Sequence, residues 1–177
     1  MPTAPGLSSL TVIWFIISGF VVLLDATFVL LRPKSLPGGP LAFLYGGWHV
    51  YIQHDKRYAD MQDPFVVLQS WLNLCEIAFQ FMAVAAHYQN GPSCALKLGF
   101  FVSVATFYKT VIYFLMEYGE GLKYTKHNSL PDLLLYVVVP SAFWLIMPLK
   151  VAGDCWSRLT PTPIEVITEK ATPKKKS

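Results

Sequence analysis

The sequence predicts an all-α, polytopic membrane protein with four transmembrane helices in a small bundle. Three observations predict it. Of 177 residues, 54% are apolar and only 14% are charged, against roughly 25% charged in an ordinary soluble domain. Four apolar runs are each about the length needed to cross a hydrocarbon core. Between them the chain turns polar or becomes rich in Pro and Gly. The formal charge of +3 includes Lys174, Lys175 and Lys176 at the C-terminus. The remaining body is close to neutral, which argues against a nucleic-acid partner, whose surface needs a folded basic patch.

After a short N-terminal segment (1–8), the first span covers 11–31, TVIWFIISGFVVLLDATFVLL, with Asp25 its one charge. It lacks the basic flank of a cleavable signal peptide. The second covers 64–88 and holds Glu76 near its centre. The third covers 95–118 and is interrupted by two lysines. Lys97 can snorkel to an interface, but Lys109 lies deeper and needs a cavity or a partner. The fourth covers 133–151 and contains Pro140 and Pro148, which membrane helices tolerate when neighbours rescue the freed carbonyls.

The first two spans are joined by a long connection, Arg32–Asp63, rich in Pro, Gly, Trp and Tyr; connections of that length are usually functional. A tail over 156–177 has little to bury and is expected to be mobile and cytosolic. Lysine and arginine divide almost evenly between the two sides, so charge bias does not orient the chain. Lys174 and Lys175 match the dilysine retrieval signal of endoplasmic reticulum membrane proteins; the alternative is a solvated basic tail. The signal implies both termini in the cytosol. Cys75, Cys94 and Cys155 have neither disulfide nor zinc spacing, and His49, His54, His87 and His127 have no ligand pattern, so no metal is expected.

Several stretches carry a resemblance. WHVYIQHDKRY, from Trp48 through Tyr51, Asp55 and Arg57 to Tyr58, resembles the W-x-x-Y-x-x-x-D-x-R-Y signature of the emopamil-binding protein family. SVATFYKTVIYFLMEYGEG is similar to that family's S-V-x-x-x-Y-x-x-V-x-Y-F-L-x-E-x-x-x-G, and SAFWLIMP to its N-A-L-W-L-V-L-P. VVLLDATFVLLRP, QDP (ending at Asp63 and Pro64) and CEIAFQ echo the sigma-2 receptor branch. Together they resemble an EXPERA domain over residues 9–155.

That resemblance implies a sterol-sized cavity among the helices of an endoplasmic reticulum protein. It also implies movement of a sterol double bond from C8 to C7, with no cofactor. Such a shift needs an acid to protonate the alkene, a dry site for the carbocation and a base to remove a neighbouring proton. The resemblance places Asp25 and Glu76 in the acid–base roles and Trp144 facing the cation; Gln80, one turn after Glu76, is placed to orient that acid. Tyr108, Tyr113 and Ser141 join them in binding the ligand. Sterols, lipophilic amines and membrane lipids are the implied partners, and a homodimer is allowed.

Departures accompany it. Where the isomerase branch has a histidine about one turn before its first acid, this chain reads GFVVLL. Ser141 replaces an asparagine, Lys109 a small residue and Thr110 an aspartate. A sterol isomerase and a non-catalytic sterol receptor or trafficking factor therefore both remain open. For Asp25 and Glu76 the structural alternative is a shared proton that holds two helices together. Trp48, Tyr51, Asp55 and Arg57 have the alternative of simply folding the cap, with Asp55 and Arg57 as an architectural pair.

Overall fold

A computed structural model describes residues 6–89 and 91–160. Five helices account for most of it: α1 (Ser9–Leu30), α2 (Gly46–His54), α3 (Pro64–Tyr88), α4 (Pro92–Gly119) and α5 (Leu130–Leu159). All but α2 are long and apolar enough to cross a membrane, and no strand occurs among the described residues. The protein is an all-α membrane protein.

Helix starts follow local chemistry. The Ser8 hydroxyl accepts from the Thr11 N–H, and Asp63 Oδ1 accepts from the N–H groups of Phe65 and Val66. Pro64 and Pro92 stand where a missing N–H does no harm. Ser129 caps α5, and the helix runs on past Val151 to Leu159. It is therefore longer than the 133–151 span that apolar composition alone marks out, because the amphipathic segment GDCWSRL continues the same helical path.

The spans pack in series, α1 on α3, α3 on α4 and α4 on α5. One core cluster joins the end opposite the cap, where Phe15, Ala83, Leu96, Val102, Val151 and Cys155 are buried. Gly99 permits the close approach of α4 and α5 there, since a Cβ would sit 3.1 Å from Cys155 Sγ and 3.2 Å from Leu7 Cδ2. The outer faces carry Ile13, Ile17, Phe20, Trp71, Leu115 and Ile146, all exposed. Helices apolar on both faces suit a lipid surround.

The connection between α1 and α3 folds over the opposite end as a cap. Phe28, Val29, Tyr45 and Val66 form its core, with Trp48 and Tyr58 packed against them. Near the N-terminus of α5, residues Leu133–Val138 adopt a π-helical turn, a widening often found at functional sites. The cap docks on it through His54, whose ring stacks on Tyr136 at 4.0 Å.

Lys174 and Lys175 lie outside the described residues, as does the tail from 161 onward.

Candidate functional site

Asp25 sits one turn from the end of α1, facing inward. It accepts three hydrogen bonds: from Trp48 Nε1 at 3.0 Å, from the Tyr58 hydroxyl at 3.2 Å and from Asn73 Nδ2 at 3.2 Å. Two of these donors belong to the cap. The long connection therefore supplies part of the coordination shell of a carboxylate inside the bundle.

Glu76 is buried on α3 and accepts from Thr106 Oγ1 at 3.0 Å and from Lys109 Nζ at 2.8 Å. Lys109 also donates to Asn73 Oδ1, so Asn73 spans the gap between the two acids. No hydrogen bond joins Asp25 to Glu76 among the described residues. In place of a direct contact the two acids are joined by a hydrogen-bonded chain, Asp25–Asn73–Lys109–Glu76. The reason is Lys109 itself: an ammonium placed between the acids pairs with one and screens the other.

These groups face a cavity of about 350 Å³. Asp25, Gln69, Asn73, Glu76, Lys109 and Tyr113 line it on its polar side, while Val21, Val22, Phe114, Pro140, Ser141 and Trp144 are among the residues that complete it. Pro148 has no N–H to offer the Trp144 carbonyl one turn back, so that carbonyl is left without its helical partner. An apolar groove lined by Trp14, Ile17, Phe143 and others runs between α1 and α5 and shares Val21, Pro140 and Trp144 with the cavity. The Trp14 and Trp144 rings meet there at 5.4 Å.

The remaining candidates divide. Tyr113 lines the cavity and donates to Asp55 Oδ2 at 2.6 Å. Ser141 and Trp144 line it as well. Tyr108 is exposed on the outer face of α4. Gln80 is buried one turn beyond Glu76, but its Oε1 has no hydrogen-bond partner among the described residues.

In the cap, Asp55 and Arg57 do not pair through their side chains. Asp55 accepts from the Arg57 backbone N–H and from the hydroxyls of Tyr51 and Tyr113. The Arg57 guanidinium turns away to Asp63 at 2.6 Å, Glu117 at 3.1 Å and Glu120, with the Tyr124 ring 4.3 Å from its carbon. Burial opposes its charge, but the bonds to Glu120 and Glu117 and the charge of Asp63 prevail and raise its pKa above the ordinary value. Burial raises the Asp55 carboxyl above its usual range, only partly offset by the Tyr113 and backbone donors. Tyr51 and Tyr58 are pushed well above the ordinary phenol, first by burial and then by nearby carboxylates. Both hydroxyls stay protonated and act as donors.

Gln69, Asn73 and Thr106 escape a reading that looks for charges in spans. A signal for two of them is present nonetheless: Gln69, Asn73, Glu76 and Gln80 form one polar stripe along an otherwise apolar helix.

No family model matches the chain. It is 29% identical over 141 residues to the 3-beta-hydroxysteroid-Delta(8),Delta(7)-isomerase of Cavia porcellus, covering 78% of this chain and 60% of that protein. The Mus musculus isomerase is 28% identical over 152 residues, covering 85% and 65%. Isomeliandiol synthase MOI2 of Melia azedarach is 24% identical over 146 residues, covering 82% and 67%. The chain thus spans 60–67% of the length of these curated relatives. At 28–29% identity, the chain is similar to proteins named 3-beta-hydroxysteroid-Delta(8),Delta(7)-isomerase.

Proposed function

We propose that the protein binds a sterol within the membrane of the endoplasmic reticulum, both termini cytosolic, and shifts a ring-B double bond from C8 to C7. One observation carries the reading: a cavity between spans in which Asp25 and Glu76 face apolar walls and Trp144. The names of the relatives support the sterol and the reaction.

In this reading the Glu76–Lys109 pair supplies the proton that adds to the alkene. Asp25, configured as an acceptor by three donors, removes the proton from the neighbouring carbon. The sterol gains one proton and loses one with no change in electrons, so no cofactor is required; the proton left on Asp25 returns to the Glu76–Lys109 pair before the next turnover. The Trp144 face and the Asp25 carboxylate stabilise the cation in between.

A second reading, sterol binding without chemistry in the manner of the sigma-2 receptor branch, is favoured by one observation. Lys109 sits beside Glu76, and a resident ammonium disfavours a carbocation close by. Expression in cells lacking their own C8-to-C7 isomerase separates the two. Recovery of the C7 sterol by mass spectrometry supports catalysis; bound but unshifted sterol at good expression supports the receptor.

A further inference from the structure

The cavity contains a charge that is already answered and an acceptor that is not. Lys109 Nζ reaches Glu76 at 2.8 Å and also bonds Asn73, which in turn donates to Asp25 at 3.2 Å. Its side chain is only 14% exposed. Two carboxylates facing an apolar cavity would ordinarily draw in a cation, and here the chain supplies one on its own tether. An incoming ammonium at Asp25 would meet Lys109 across a single asparagine. At such a separation and a protein-like dielectric, the repulsion lowers affinity by about tenfold or more.

Gln69 presents the opposite case. It is 8% exposed and lines the cavity on the same face of α3, and its Oε1 has no hydrogen-bond partner among the described residues. An amide oxygen left unmade in a buried site is costly, and a ligand that donates to it recovers that cost. Gln69 lies two turns before Glu76, about 10 Å along the helix. That length is comparable to the distance from the terminal hydroxyl of a rigid fused-ring lipid to the middle of its ring system plus the hydrogen bond that would hold the hydroxyl.

We infer that the cavity is selective for an uncharged lipid bearing a hydroxyl. Lys109 fills the place of a ligand cation, and Gln69 accepts the ligand O–H and so sets which ring lies beside Glu76. The inference rests on the sterol reading above and adds a charge rule and a polar anchor to it. Gln69 is in this sense a positioning residue.

Three probes on one skeleton test it with the full chain in lipid nanodiscs: a sterol, its methyl ether and the same skeleton carrying a tertiary amine. The natural protein is expected to prefer the sterol to either other probe by about tenfold or more. Gln69→Leu should erase the sterol–ether difference while leaving ether affinity in place. Lys109→Met, with Lys109→Gln as a second variant should the first fail to fold, should raise amine affinity at least about tenfold. Adding Asp25→Asn and Glu76→Gln together should cancel that gain. A natural protein that favours the amine overturns the inference. So does a folded Gln69→Leu that keeps the hydroxyl preference, or a Lys109 variant that binds sterol but gains nothing for the amine. If the natural protein binds none of the three, the sterol reading itself falls, and this one with it.

Discussion

Trp48 Nε1 donates to Asp25 at 3.0 Å, joining the cap to a carboxylate inside the first span. The bond ties the W-x-x-Y-x-x-x-D-x-R-Y stretch to the cavity, where a purely architectural cap would leave Asp25 to the spans alone. Trp48→Phe keeps an aromatic ring near Phe28 but removes the N–H along with part of the indole. The expected loss is about 2 kcal/mol or more of stability, read from denaturation midpoints in detergent. Tyr58→Phe, which removes only the hydroxyl, should cost about 1–2 kcal/mol. The pair should depart from additivity, because both donors serve one carboxylate.

The proposed isomerisation carries a sharper expectation for the acids. Under it, Asp25→Asn and Glu76→Gln each reduce C7 sterol formation by about a hundredfold or more, in keeping with the loss of a general acid or base. Sterol affinity should fall far less. Full turnover in the double variant would show that neither carboxyl moves a proton.

Arg57 is fully buried among three acids. Replacing it with Met leaves Asp63 and Glu117 buried without their partner, at a cost of about 3–5 kcal/mol. Lys at this position offers one compact charge in place of a planar fork and should recover less than half of that. Hydrogen exchange over residues 46–58 would report the loosened cap directly. Unchanged exchange in Arg57→Met would mean that the cap is held by its apolar core alone.

Asp55 predicts a pH dependence. Its pKa in the folded cap lies above the ordinary 3.8 because of burial, so the native state binds the proton more tightly than the unfolded chain. Its stabilising contribution is then complete below 3.8 and fades as pH rises through the raised value. Asp55→Asn removes that slope while its amide oxygen can still accept from Tyr51 and Tyr113. Denaturation midpoints of both proteins across mildly acidic pH should therefore converge toward low pH. Parallel curves would place the titration elsewhere.

The spans were legible because about 20 apolar residues leave few other ways to fold, and the second begins at Pro64 in sequence and structure alike. Asp25 and Glu76 stood out for the same reason, as charges where charges are expensive. Their partners were harder to read. Lys109 was visible as a residue in need of company, but its choice of Glu76 depends on how α4 is rotated and shifted against α3. Spacing within one helix carries no record of that. Asp55 and Arg57 show the same limit in the cap: two residues apart in sequence, they bond different parts of the molecule. Tyr108 and Tyr113 lie on the same helix and look alike in the motif, yet one faces outward and the other the cavity. The bundle's rotation decides between them.

The Arg57 cluster also has a consequence for how the chain is made. Glu117 lies 60 residues downstream of Arg57, and the turn that Glu117 organises through Tyr124 and Thr125 comes later still. Tyr136, on which His54 rests, follows that turn. During synthesis the first two spans therefore enter the membrane before the clasp that holds Trp48 and Tyr58 over Asp25 exists. Until the third span has emerged, the Arg57 guanidinium lacks two of its three acids, and Glu76 lacks Lys109. The nascent protein therefore passes through a stage in which Glu76 stands at membrane depth without Lys109 or Thr106, while Asp25 depends on a cap that is not yet clasped.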